Sequence, residues 1–239
     1  FHTIITELLQ LLPEPYSKIT EKFPREFILI QGKGCFWKKC LFCDYHNDLS
    51  DNALSVNREV LQKVTGVHGV LDVINSGSAM ELDKGTIEIL QQVVKERHIH
   101  TLWFEAHYMY RHKLAAFAKL FEPAVVKFRC GVETFNTALR NKWQKGIPEN
   151  VKPEDIARYF KGVCLLCCTE GEDKEHIIED IRIADNLFEY FSVNIFCNNT
   201  TSVKQDKELT AWFVQNVYQQ IKDNPKIEIL LENTELGVG

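Results

Sequence analysis

Three cysteines, Cys35, Cys40 and Cys43, are separated by four and then two residues in the stretch Gly34-Cys35-Phe36-Trp37-Lys38-Lys39-Cys40-Leu41-Phe42-Cys43-Asp44-Tyr45-His46, and the next cysteine is Cys130. Soft thiolates this close together suit zinc or an iron–sulfur cluster better than a hard cation. A structural zinc site takes four protein ligands, and His46 is the one local candidate for a fourth. A four-iron cluster on three cysteines instead leaves one iron open to a small molecule, as a catalytic metal keeps an open position. Cysteines also pack in cores as small hydrophobes, but three thiols flanked by glycines and lysines do not read as core. The same C-x4-C-x2-C spacing occurs in plant-type ferredoxins, which need a fourth cysteine. Here Cys130 lies two apparent strand–helix units away, in a chain too long and too α/β for that domain.

The thiols must be positioned by what precedes them. A strand-like run, Phe27-Ile28-Leu29-Ile30, ends in Gln31-Gly32-Lys33-Gly34, so the cysteine loop leaves the end of a strand, where α/β folds place their chemistry. Further strand-like runs follow at 70–74, 101–105, 125–133, 163–168 and 191–197, with a last one at 227–232. Helical periodicity marks segments within 51–64, 82–97, 113–121, 136–142, 154–160, 174–188 and 208–221, with Asp83 as a cap and Pro153 opening its helix. Six strands alternating with helices predict a parallel sheet with right-handed crossovers. Periodicity alone fits a partial (β/α)6 barrel and a doubly wound sheet equally. No linker, repeat or low-complexity tract divides the chain, so residues 1–239 read as one domain. Residues 1–26 read as an N-terminal helical cap, with a short amphipathic helix over 3–12 stopped by Pro13 and Pro15.

Composition bounds the setting. The 239 residues, 45% hydrophobic and 26% charged, are those of an ordinary globular protein. Apolar runs are too short to span a bilayer. Eight cysteines with no signal peptide point to a reducing cytoplasm, where clustered cysteines mean metal more often than disulfide. A net charge of −5 argues against a nucleic-acid-binding face, DNA included, and in favour of a small-molecule substrate.

Gly-Cys-x4-Cys-x-Phe-Cys after the first strand resembles the cluster loop of the radical S-adenosylmethionine (SAM) superfamily, whose members mostly carry three residues between the first two cysteines. The resemblance covers nearly the whole chain and implies the partial TIM-like barrel. It implies that Cys35, Cys40 and Cys43 each bind one iron of a 4Fe-4S cluster, with SAM chelating the fourth and Phe42 near the adenine. Ser76-Gly77-Ser78 stands where the superfamily has a glycine-rich segment meeting the SAM amino group, although the accompanying acidic residue is absent there. Gly131-Val132-Glu133-Thr134 resembles the Gly-x-Glu-Ser/Thr segment whose acid meets SAM. Arg129 fits either a partner for Glu133 or a strand residue facing outward. The chemistry implied is reductive cleavage of SAM and hydrogen abstraction by a 5′-deoxyadenosyl radical, fed by a reductase, flavodoxin or ferredoxin.

In such a barrel the strand ends converge on one face, which would gather Ser76–Ser78, Glu105 with His107, Glu133, and Asn199 around the thiols. Thr169, Glu170 and Ser78 also fit plain solvent-facing loop residues. Cys164 and Cys168 should share a strand face and Cys167 take the other, which divides them and favours core packing. The four tryptophans are scattered and read as core or rim. A minimal chain with the four-residue first spacing and no auxiliary cluster domain is similar to the branch of the superfamily that cleaves queuine, a 7-deazaguanine base, to 7-aminomethyl-7-deazaguanine. A guanine-like edge offers two adjacent N–H donors that one carboxylate accepts together. Glu105, Glu232 and Glu235 are candidates for that carboxylate and for the substrate amine. Tyr45, His46 and His107 are candidates for the diol or the base, and Asp44 is less suited because the cluster loop would fix it. A radical SAM enzyme for a peptide, another nucleobase or tRNA remains the alternative, and an electron-transfer or zinc protein the alternative of another class.

Overall fold

The computed structural model describes residues 15–47 and 49–232. Its centre is an eight-stranded sheet whose strands lie side by side in chain order. These are β1 (Tyr16–Ile19), β2 (Arg25–Ile30), β3 (Val70–Asn75), β4 (Thr101–Glu105), β5 (Val125–Glu133), β6 (Gly162–Cys167), β7 (Tyr190–Ile195) and β8 (Ile227–Leu230). From β2 to β8 every pairing is parallel. A doubly wound sheet reverses its order at a switch point, and this one never does, so the sheet curls one way into a half-barrel.

Two expectations change. The last strand-like run pairs parallel to β7, so the parallel strands run one beyond the expected six. The sheet also has an antiparallel edge, because Tyr16–Ile19 pairs with Ile28–Arg25. Four residues with a lysine among them gave no strand signal. They are held by Glu26, a fully buried carboxylate that accepts from Tyr16 Oη at 2.7 Å and from Thr65 N and Gly66 N, each at 2.7 Å. Burial would raise the Glu26 pKa, but those hydrogen bonds outweigh it and hold it below the usual carboxylate value. The helix expected over 3–12 lies outside the described residues.

The helices are α1 (Ala53–Gln62), α2 (Lys84–Glu96), α3 (Leu114–Ala118), α4 (Thr137–Lys142), α5 (Pro153–Ala157), α6 (Lys174–Leu187) and α7 (Lys207–Phe213), the last continued by a π turn to Tyr218. Asp83 caps α2 by accepting from Thr86 N, and Pro153 opens α5. Outward-facing strand residues such as Ile28, Val73, Phe104 and Val193 pack under these helices in one continuous core. Residues on the other strand face, such as Phe27, Glu105 and Leu166, look into the barrel. The point where β2 gives way to the cysteine loop is locked by Asn57 of α1. Its side chain accepts from Gln31 N at 2.6 Å and donates to Gln31 O at 2.8 Å, inside the core. Among the described residues no helix is long and apolar enough to cross a membrane.

Candidate active site

The cysteine loop is short of regular structure, and other strand ends hold it in place. Phe36 N donates to Glu81 Oε1 at 3.1 Å, and the Trp37 indole donates to Gln144 O at 2.7 Å. Leu41 N donates to Trp143 O at 3.0 Å. The Asn199 amide donates to Phe42 O at 2.7 Å, while Thr200 donates to Asp44 Oδ2 from both its backbone N and its hydroxyl. Asp44 is therefore committed to the loop, as expected. Phe42 anchors the loop in a small apolar cluster with Leu139, Trp143, Leu166 and Phe196, its ring 5.5 Å from that of Trp143 in an edge-on contact.

Glu81 is the acid that lies beside the Ser76-Gly77-Ser78 segment. It accepts from Ser78 N at 2.9 Å and from Tyr110 Oη at 2.8 Å as well as from Phe36. It stands three residues past Ser78, in the 3-10 turn that Ser78 caps. Gly77 lies hard against the cysteine loop: a β carbon there would stand 3.2 Å from both Cα and N of Cys35 and 2.2 Å from Glu81 Oε2.

Below the loop, the strands enclose a cavity of about 440 Å³, within the range of small-molecule sites. Cys35, Cys40 and Cys43 line its mouth with Phe42 and Tyr45. Ser76, Gly77 and Ser78 form one side, and Glu105, His107, Glu133 and Asn199 further parts of the wall. His46 and Glu232 are not brought to the cavity, and Glu235 lies outside the described residues. Asn199 spends its amide N–H on the loop and its carbonyl on Thr201.

All eight cysteines are free thiols. Cys130 is fully buried in the core beneath the helices, so it offers the loop no fourth sulfur. Burial pushes the Cys40 thiol up to about 11 and the Cys43 thiol to about 12, so metal binding must displace protons there. The three thiols face one space, though among the described residues no three His, Cys, Asp or Glu side chains are gathered into ligating range. A soft, three-thiolate donor set opening onto a cavity fits an iron–sulfur cluster with one free iron.

The charged centre of the cavity lies around Gly131. A β carbon at that position would meet Glu133 Oε1 at 2.9 Å, Lys145 Nζ at 3.1 Å and Glu105 Oε1 at 3.2 Å. The missing side chain is what lets three charged heads converge. Glu133 is at the bulge where β5 slips against β6, with φ of 66°, a conformation that costs on the order of 1–3 kcal/mol. Lys145, which sequence reasoning saw only as part of a turn, donates to Glu133 Oε1 at 2.7 Å. Burial would lower the Lys145 pKa, but the Glu133 charge overrides it and holds the ammonium well above its ordinary value. Arg129, one candidate partner for Glu133, instead pairs with Asp72, which also binds Arg25 at 2.9 Å. Burial, reinforced by the charge of Glu133 and opposed by Lys145, lifts Glu105 to about 7.

His107 is tied at both ring nitrogens. Its Nε2 meets Lys145 O at 2.6 Å, which requires the Nε2–H tautomer, and Nδ1 accepts from Met109 N at 3.1 Å. Burial, then the Lys145 charge, lowers its pKa to about 4, so the ring is neutral. Trp37 stacks on it at 5.6 Å. Cys164 departs from expectation: it lines the cavity, with Sγ 3.9 Å from Glu105 Oε2. Cys168 does not share its face, because β6 ends at Cys167 and Cys168 turns to a φ of 68°.

No protein-family model matches the chain, and no curated protein does. Among solved structures it is similar to a queuine lyase from Clostridium spiroforme bound to SAM and queuine, with 40% identity and a TM-score of 0.89, over 95% of this chain and 99% of that one. It is also similar in fold to methylornithine synthase (PylB), with 19% identity and a TM-score of 0.59, over 85% of this chain and 63% of that one.

Proposed function

Since the chain belongs to the queuine lyase family of the radical SAM superfamily, we propose that this enzyme cleaves queuine and releases 7-aminomethyl-7-deazaguanine. Cys35, Cys40 and Cys43 hold a 4Fe-4S cluster at the cavity mouth, and Ser76–Ser78 with Glu133 receive SAM beside it. When bound, cluster and SAM supply a 5′-deoxyadenosyl radical by one-electron cleavage of the S–C5′ bond, which is the difficult step.

The protein's own residues bind, orient and exclude water. Glu105 accepts the two N–H donors of the guanine-like edge, in a setting that keeps its charge within reach of neutral pH. Lys145 pairs with Glu133 and offsets part of its repulsion of Glu105. Phe27, Leu29 and Leu166 give the deazapurine ring an apolar wall. The tied ring of His107 with Trp37 stacked on it closes the side nearest the loop. Tyr45, half-buried, lines the same cavity, with its hydroxyl kept protonated by burial. Eight free thiols support a reducing, cytoplasmic setting.

The observation that carries this reading is the opening of the three thiols and Glu105 onto one cavity in a chain so similar to an enzyme bound to both SAM and queuine. Anaerobic reconstitution with iron and sulfide, followed by SAM and dithionite with and without queuine, tests it. The expected result is 5′-deoxyadenosine together with queuine-dependent release of the aminomethyl base. Deoxyadenosine with no queuine turnover would remove the substrate, and no SAM cleavage by a loaded cluster would remove the reaction class.

A further inference from the structure

One row of inward-facing residues crosses the middle of the cavity and ends in a carboxylate with no part yet in the chemistry. Gly131, Cys164, Ser192 and Glu228 are successive register partners on β5, β6, β7 and β8, and all four line the cavity. Glu105 of β4 reaches over Gly131, its Oε1 3.2 Å from where a β carbon would stand. Glu105 and Glu228 therefore face the cavity from two sides, four strand spacings apart in the sheet, roughly 19 Å along the curved wall and less across it. Glu228 is fixed from the floor: Arg25 Nη2 donates to its Oε1 at 2.8 Å and to its Oε2 at 2.7 Å, and Tyr190 Oη donates to Oε2. A carboxylate accepts at about four lone-pair sites, so one site on Oε1 is left over. Two residues past Ser192 on the same strand face, Asn194 also lines the cavity, and its Oδ1 has no partner among the described residues.

We infer that Glu228 and Asn194 form a hydroxyl-binding subsite on the β7–β8 side of the cavity and hold the diol end of queuine. The inference rests on the proposed function, which places the base edge at Glu105 and so sends the other end of the substrate to the opposite side. Glu228 already has its countercharge in Arg25, so a cation gains little there, and an anion is repelled. Neutral O–H donors remain, and two acceptors, Glu228 Oε1 and Asn194 Oδ1, match the two hydroxyls of a diol. The linkage to be cleaved then lies between the two anchors, over the short side chains of Cys164 and Ser192. Anchoring both ends fixes the position of that linkage, where a misplacement of about 1 Å is costly.

The test is calorimetric titration of the cluster-loaded protein, with SAM present and no reductant, by two probes: queuine, and its analogue whose five-membered ring lacks both hydroxyls. The wild type should bind queuine at least about tenfold more tightly than the analogue, as expected for hydrogen bonds to a charged group and an amide. In Glu228→Gln and in Asn194→Leu that ratio should shrink several-fold, while affinity for the analogue stays within about twofold of the wild type. Glu105→Gln, by contrast, should weaken both probes alike and leave the ratio unchanged. Glu228→Gln retains an acceptor for Arg25, which also keeps Asp72 at 2.9 Å. Should that variant still fail to fold, Asn194→Leu asks the same question without touching the ion pair. Equal wild-type affinity for the two probes, or subsite variants that weaken both alike, would overturn the subsite and leave Glu228 a residue of the floor. A wild type that binds neither probe would instead strike the proposed function, and the subsite with it.

Discussion

Lys145 Nζ donates to Glu133 Oε1 across 2.7 Å, and both side chains are about nine-tenths withdrawn from solvent in the cavity wall. Glu133 keeps no equivalent partner if Lys145 is removed, because Arg129 is committed to Asp72. Lys145→Met should therefore destabilise the fold by about 3–5 kcal/mol, the usual cost of stranding a buried charge. Urea unfolding at neutral pH measures it. Adding Glu133→Gln to that variant should recover part of the loss, as expected for a coupled pair. Additive losses in the two single variants would show that the pair is not what holds this wall.

The contact of Gly77 with the cysteine loop leads to a different kind of prediction. A side chain at this position has to displace Glu81, which three hydrogen bonds fix in place, or Cys35 itself. The barrel below need not move, since Gly77 follows the end of β3. Gly77→Val should thus keep the far-ultraviolet circular dichroism of the wild type while iron bound after reconstitution falls several-fold. Full iron loading in a folded Gly77→Val protein would mean that the close approach does not position the cluster loop.

How far the sequence reveals such relationships depends on their range. The cysteine spacing, the strand after which it falls, and the strand ends at Glu105 and Glu133 were legible because each is carried by a short run with a clear period. The half-barrel required the resemblance, since periodicity does not distinguish it from a doubly wound sheet. Lys145 was invisible: it belongs to a turn twelve residues past Glu133 and acquires its role only when α4 returns that turn to the cavity. Asn57 carried no signal beyond its place in a helical segment, and only the tertiary fold shows it gripping Gln31. The strand at Tyr16–Ile19 exists through Glu26 and pairing to β2, not through its own propensity.

Glu172 offers a test away from the cavity. Burial, only partly offset by hydrogen bonds from Thr169, raises its pKa to about 8, and its Oε1 has no partner. In the unfolded chain the group titrates near 4.5. The folded state therefore binds more protons between those values, so its stability is fullest at low pH in that window and falls as pH rises from about 5 towards 8. Glu172→Gln keeps the size and an acceptor for Thr169 N without the charge. At pH 8 the variant should be more stable than the wild type, on the order of a few kcal/mol, and the advantage should vanish near pH 5. Denaturation at the two pH values checks this, and an equal difference at both would show that charge is not the cause.

Glu105 is where the electrostatics of the cavity meet the proposed substrate. Its carboxylate shares the space over Gly131 with Glu133 and Lys145, and it titrates at about 7. A base edge with two N–H donors binds the ionised form and not the protonated one, so binding must displace the proton wherever pH lies below 7. Queuine affinity of the wild type should then hold steady above pH 7 and fall by up to tenfold per unit below it. Glu105→Gln exchanges one acceptor oxygen for a donor, which meets the base donor to donor. That should weaken binding by about 10- to 100-fold, corresponding to loss of a charge-assisted hydrogen bond worth roughly 1.5–3 kcal/mol, and should flatten the pH profile. Calorimetric titration of the protein with queuine between pH 6 and pH 8 reads both effects. A wild-type profile already flat over that range, or a variant that binds as tightly as the wild type, would assign the base edge to another residue.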